Sequence, residues 1–289
     1  MRMSFENGVG IFSLVRISNI LVLVFAQLLT SIFIFSLNPF KETVSDYKLW
    51  LIIFSTAFGV SGGYIINSFF DQKKDIINRP YKTLLEINIK NKTKFRIYFL
   101  LSFFSLITSI FVSFNAFIFF SFYIIIMYLY SHLFKKYLWF GSMLSTLLTI
   151  FPFFAITLYY KNFNYEILTH ALYLYFLICV RELVKDLFNL KGDILNNYKT
   201  FPSVFGENNT KLFITFLVLL LYITVIILDS FFILNLMRYY FYIVLLVITV
   251  FLFYLWKKSN KTKYGLMLQT IRVVIFLGVI CLPLLTVVL

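Results

Sequence analysis

Two acidic motifs have spacings that suit chemistry on a charged oxygen group. The first reads Asn67-Ser-Phe-Phe-Asp71-Gln-Lys-Lys-Asp75-Ile-Ile-Asn78-Arg79-Pro80. Asn67, Asp71 and Asp75 are spaced by four. On a helix each such step turns about 40° beyond a full turn and rises about 6 Å, so the three share one face. A row of this kind suits a hard cation. Mg²⁺ takes one or two carboxylates and completes its shell with water and phosphate oxygens. Lys73, Lys74, Arg79 and Lys82 stand close in sequence and can bind those phosphates directly. Pro80 marks the end of the helix. The bland alternative is a helix end whose charges merely reach for water.

The second motif weighs against that alternative. It reads Arg181-Glu182-Leu-Val-Lys185-Asp186-Leu-Phe-Asn189-Leu-Lys191-Gly192-Asp193 and follows an apolar run without a gap. Ionisable residues at membrane depth are costly and mark functional sites by default. Asp186, Asn189 and Asp193 fall near one helical face. Internal pairing, Glu182 with Lys185 or Asp186 with Arg181, is the structural alternative here.

The elements that must position these motifs are membrane spans. Of 289 residues, 61% are hydrophobic and 13% are charged, where a soluble domain carries roughly a quarter charged. Apolar runs of about 20 residues, enough to cross a bilayer as a helix, recur along the chain. Nine spans are expected, at 11–37, 49–70, 95–114, 116–133, 138–160, 165–188, 211–229, 237–256 and 265–288. Only Asn115 separates the third from the fourth. The first run is too long for a cleaved signal peptide and lacks a small-residue cleavage site. No linker divides the chain, so one membrane domain over 1–289 is expected.

Lys and Arg set the orientation. Of the 26, 18 lie at the N-terminus and in the even-to-odd loops, and four lie in the opposite loops. That asymmetry puts the N-terminus and both motifs at the cytoplasmic face, with the C-terminus outside. Arg16, Arg96, Arg181 and Arg272 fall within spans. A net charge of +14 thus reads as basic cytoplasmic loops, not as a nucleic-acid surface. Cys179 and Cys281 lie in apolar runs, which argues against a disulfide framework or thiolate metal site. His132 and His170 have no ligand-like neighbours.

Two acidic faces on one membrane side suit a diphosphate, with a Mg²⁺ held at each. Loss of diphosphate from an allylic carbon builds charge on the departing oxygens, which metal ions, Arg and Lys stabilise. The apolar chain would lie among the aromatic helices, whose faces stabilise a developing cation.

At these residues the sequence resembles the UbiA superfamily of intramembrane prenyltransferases. The N-x-x-x-D-x-x-x-D motif with its R-P element and the acidic second motif carry the likeness. So do Arg16-Ile-Ser-Asn19 and the segment Tyr128-Leu-Tyr130-Ser131, Lys135 and Gly141. The resemblance implies an all-α bundle around a central cavity open towards lipid. It implies Mg²⁺ as cofactor, an isoprenoid diphosphate donor and a lipophilic acceptor.

Asn67, Asp71, Asp75, Asn189 and Asp193 are then the metal-holding set, with Asp186 as auxiliary. Arg79, Lys82, Lys185 and Lys191 contact diphosphate oxygens, and Arg16, Asn19 and Tyr128 help to place the substrates. Arg181-Glu182, Lys185-Asp186, Gly192-Asp193 and Lys199-Thr200-Phe201-Pro202 look most like the digeranylgeranylglyceryl phosphate synthase branch, which builds ether lipids. Asn189 stands where the family carries the first acid of its second motif. Lys82-Thr83 replaces its second R-P, and Asn197 stands where Gly is common. Aromatic-ring prenylation for quinone synthesis is the alternative within the family. A non-catalytic lipid carrier or transporter is the alternative outside it.

Overall fold

In a bilayer every backbone polar group must be satisfied internally, so apolar runs of this length form helices. The computed structural model describes residues 10–86, 89–258 and 260–287. Among them nine helices are long and apolar enough to cross a membrane. They are α1 (Ile17–Phe35), α2 (Tyr47–Phe70), α3 (Asn91–Ile110), α4 (Phe114–Tyr137), α5 (Gly141–Tyr160), α6 (Tyr165–Leu195), α7 (Phe201–Phe231), α8 (Met237–Leu255) and α9 (Lys261–Leu285). No strand occurs among the described residues. The all-α membrane architecture is as expected.

The helices close into a ring. Helix α1 packs on α2, α2 on α4, α4 on α5, α5 on α6, α6 on α9, and α9 returns to α1. Helices α3 and α7 stand outside it, against α2 and α6. Small residues set the α2–α3 seam. Gly59 approaches Ser105 so closely that a Cβ there would lie 3.1 Å from its Oγ. Ser105 donates to the Ser55 carbonyl at 2.7 Å, and the Ser55 and Thr108 hydroxyls meet at 2.7 Å. Close approach and interhelical hydrogen bonds replace the hydrophobic drive that lipid cannot supply.

Pro152 inside α5 shows how the ring repairs a break. Proline offers no N–H to the carbonyl four residues back. Tyr123 on α4 reaches that carbonyl, Leu148 O, at 3.5 Å. Gln27 on α1, fully buried, donates to Pro152 O at 2.9 Å and to Thr56 Oγ1 on α2 at 3.2 Å.

Several boundaries differ from expectation, each for a local reason. Asn115 does not make the third turn; it lies inside α4. Ser113 caps that helix instead, accepting from Ala116 N–H at 3.1 Å. Helix α6 continues past 188 to Leu195, because the second motif is itself helical. Helix α7 begins at Phe201 and not at 211; it kinks at Gly206, whose φ of 83° glycine tolerates. Arg16 interrupts the first run with a left-handed φ of 54°.

Candidate active site

The first motif begins on α2 and crosses a bend. Helix α2 ends at Phe70, and a short helix, Gln72–Asn78, starts beyond Asp71. The hydrogen-bond ladder survives the bend: Asp71 N–H donates to Asn67 O at 3.0 Å and Asp75 N–H to Asp71 O at 2.8 Å. Asn67, Asp71 and Asp75 therefore still face one cavity, although not from one straight helix. The short helix stops at Asn78, as expected, and Arg79 leaves the helical conformation before Pro80.

Gly192 lets the two motifs meet. A Cβ at this position would lie 2.4 Å from Asn78 Nδ2, so only glycine allows the short helix to rest on α6. Asn78 Nδ2 then donates to the Asn189 carbonyl at 3.2 Å. Lys74 reaches across the same contact, with Nζ 2.6 Å from Asp193 Oδ1. The expected convergence of helices two and six is present.

Lysines knit the acids together. Lys135 Nζ donates to Asn67 Oδ1 at 2.8 Å and lies 2.8 Å from Asp71 Oδ1. Asn67 Nδ2 donates to Asp71 Oδ2 at 3.0 Å, and Tyr198 OH donates to Asp71 Oδ1 at 3.1 Å. Burial pushes the Asp71 carboxyl up, but Lys135 and Lys74 outweigh it and hold it at about 2. Burial lowers Lys74, yet Asp71 and Asp193 leave it raised. Burial, with Arg16 nearby, lowers Arg79. Burial and Asp71 raise the Tyr198 phenol.

Two local irregularities aim these groups. A π turn at Tyr130–Phe134 precedes Lys135 and rotates it toward α2. Asn197 takes a left-handed φ of 57°, the conformation glycine would adopt there, and returns Tyr198 to Asp71. In the sequence only the family likeness marks Lys135, and only its place beside the first motif marks Lys74. Tyr198 carried no signal.

The remaining residues divide. Asp186 lines the cavity and accepts from Ser142 on α5. Glu182 is buried and bonded by Lys185 and Ser145, with Arg181 Nη2 at 3.7 Å. The expected alternative pairing of Glu182 with Lys185 thus exists, while Asp186 pairs with serine and not with Arg181. Asn189 lines the cavity, and Asp193 lies fully buried just behind it. Asn189 Oδ1 accepts no hydrogen bond among the described residues, while Asp193 is held by Lys74 and lies beside the Thr200 hydroxyl. Arg16, Asn19 and Arg79 also face the cavity. Lys191 is exposed outside it. Tyr128 packs with Phe70, Tyr98 and His132 and not on the cavity wall. The Lys82 side chain lies outside the described residues. Among those residues no three His, Cys, Asp or Glu side chains gather into a metal cage.

The cavity itself is about 830 Å³. Its charged end holds the two motifs. From there it runs between α1, α5, α6 and α9 to Phe163 and Ile167 at the other side. From Asn189 to Ile167 along α6 is about 33 Å, close to the hydrocarbon thickness of a bilayer. Apolar and aromatic side chains line most of that path, and α3 and α7 contribute none.

The UbiA prenyltransferase family matches residues 28–277. The chain belongs to that family. Membership makes it a multi-pass membrane enzyme that transfers prenyl groups, and the carrier or transporter reading falls. A digeranylgeranylglyceryl phosphate synthase of Sulfurisphaera tokodaii is 27% identical over 227 residues, covering 78% of this prenyltransferase and 80% of its relative. A solved structure of digeranylgeranylglyceryl phosphate synthase in membranes superposes with a TM-score of 0.67 at 22% identity, over 98% of each chain. A UbiA homologue from Archaeoglobus fulgidus, bound to GPP and Mg²⁺, gives 0.69 at 15% identity over 94% of this chain and 99% of its own. At these identities the two structures establish the shared fold.

Proposed function

We propose that the prenyltransferase moves a prenyl group from an isoprenoid diphosphate, with Mg²⁺, to the hydroxyl of a prenylglyceryl phosphate. One observation carries the reading: two carboxylate motifs from different helices meet at one end of a long apolar cavity. The synthase named above, with 80% of its length matched, supports the ether-lipid acceptor.

The residues fit Mg²⁺. Asn67, Asp71 and Asp75 offer one set of oxygens, and Asp186, Asn189 and Asp193 offer the other. The buried, unpartnered Asn189 Oδ1 is an oxygen with capacity to spare. The lack of a three-acid cage is consistent, because Mg²⁺ prefers few carboxylates and completes its shell with phosphate and water. Asn189 in place of an acid keeps an oxygen donor and removes a charge. When bound, Mg²⁺ neutralises the charge that builds on the leaving diphosphate.

The chain's own groups do the rest. Lys135, Lys74 and Arg79 hold diphosphate oxygens as charge develops there. Lys185, already paired with Glu182, and Lys82 assist from the same end. Tyr130 lines the cavity near the motifs, where its ring can stabilise the cationic carbon. The apolar limb holds the tail and excludes water, so the acceptor hydroxyl captures the carbon; its O–H bond breaks as the ether forms, and the proton leaves with the released diphosphate. The N-terminus and charged end face the cytoplasm and the C-terminus lies outside, a direction that the distribution of Lys and Arg supports; with no linker in the sequence, residues 1–289 act as one domain.

The test is purified protein in liposomes with Mg²⁺, labelled geranylgeranyl diphosphate and three acceptors. Label should pass to prenylglyceryl phosphate. Transfer to 4-hydroxybenzoate or dihydroxynaphthoate instead would move the enzyme to quinone chemistry.

A further inference from the structure

Four arginines line the cavity, and the diphosphate reading uses only one of them. Arg16 opens α1, Arg79 follows the first motif, Arg181 sits on α6, and Arg272 sits on α9. Gly265 on α9 lies against the Phe188 ring on α6, and seven residues farther along each of these packed antiparallel helices bring Arg272 and Arg181 to one depth in the cavity. Acidic compensation is scarce. Glu182 already answers Lys185, with Arg181 at 3.7 Å. Arg16 lies over the Tyr64 ring at 4.7 Å. Neither Arg16 nor Arg272 makes an ion pair with the described residues. Arg272 lies eleven residues into α9, about 16 Å along the axis from Lys261 and within the membrane-spanning segment.

Uncompensated guanidinium groups at such depth are costly and call for an anion. Arg79, Lys135 and Lys74 gather beside Asp71 and Asp193, and they suffice for a diphosphate. Arg181 lies eight residues before Asn189 on α6, about 12 Å farther along the cavity. A second anion is therefore needed, one that arrives with an apolar chain and docks between α1, α6 and α9. A guanidinium fork matches a tetrahedral phosphate in a way a point charge does not.

We propose that Arg272, with Arg181 and Arg16, reads the phosphomonoester of the acceptor and makes the enzyme selective for phosphorylated acceptors. This rests on the ether-lipid reading above. Arg272 touches the acceptor's phosphate and not the reacting carbon, so it governs specificity.

The test uses the full chain in nanodiscs of zwitterionic lipid, with Mg²⁺ and geranylgeranyl diphosphate. The acceptors are prenylglyceryl phosphate and the same prenylglycerol without phosphate. Arg272→Gln should raise the KM for the phosphorylated acceptor about tenfold or more. It should leave the donor KM and the kcat at saturating acceptor within about twofold, and Arg272→Lys should recover part of the loss. Wild-type preference for the phosphorylated acceptor should collapse in Arg272→Gln. An unchanged acceptor KM in that variant, with wild type active, overturns this inference alone. A wild type inert toward the phosphorylated acceptor overturns the ether-lipid reading and this inference with it. Phosphatidic acid brings the same phosphomonoester on a bilayer lipid. Competition in wild type only would show a site open to both sources, and none would show a site reserved for the acceptor. Equal competition in wild type and Arg272→Gln would place the anion elsewhere and overturn the assignment.

Discussion

Asp71 illustrates how much one residue carries. It takes Lys135, Asn67 and Tyr198 at once and reaches the second motif through Lys74. Asp71→Asn and Asp193→Asn should each lower kcat by about a hundredfold or more, the scale of losing a preorganised electrostatic group. Mg²⁺-dependent diphosphate release measures this, and unchanged turnover in both would remove the metal roles. Lys135→Met should weaken donor binding and free Asp71 from its strongest partner. Acid also reports on Asp71. Its carboxyl is held at about 2 against an ordinary 3.8, so the stability it adds is complete above about pH 4 and lost as pH falls toward 2. The amount is about 2 kcal/mol. Denaturation of wild type and Asp71→Asn between pH 5 and 2 checks it, with the variant flatter. The acids were legible in sequence because their spacing matches a helix. Tyr198 and Lys135 were less so, because an αL residue and a π turn aim them, and neither leaves a periodic signal.

Among the elements, the short helix Gln72–Asn78 decides whether the two motifs act together. Its seat on α6 has no room for a methyl group at Gly192. Gly192→Ala should lift the helix, lengthen the Lys74–Asp193 contact and cut activity by more than about tenfold. Overpacking of this kind costs about 1–3 kcal/mol in stability. Normal activity in a folded Gly192→Ala protein would show that the seat can give way. The apolar runs were legible as nine spans, since the bilayer demands length and little else. Their ends were less so. Polarity marks where a helix could leave the membrane, not where its hydrogen bonds stop. Helix α6 therefore runs seven residues past its expected end at 188, carrying Asp193 with it.

For the whole molecule, the ring of helices and the distribution of Lys and Arg make one claim about direction. A single cysteine placed at Lys199 should react with an impermeant thiol reagent only from the cytoplasmic side, and one at Lys161 only from outside. Both measurements need a Cys179→Ser, Cys281→Ser background. Reversed labelling would invert the topology. A different consequence follows from the cavity's reach. A passage from Asp71 to Phe163 nearly pierces the membrane's insulation. Such a passage holds back protons and ions as long as its apolar limb stays dry, as a dewetted constriction does in a channel. The lining that would cradle a prenyl tail would then also be the seal against ion leak. A polar substitution such as Leu174→Asn should raise proton leak in liposomes, measured with a pH-sensitive dye, before it harms catalysis.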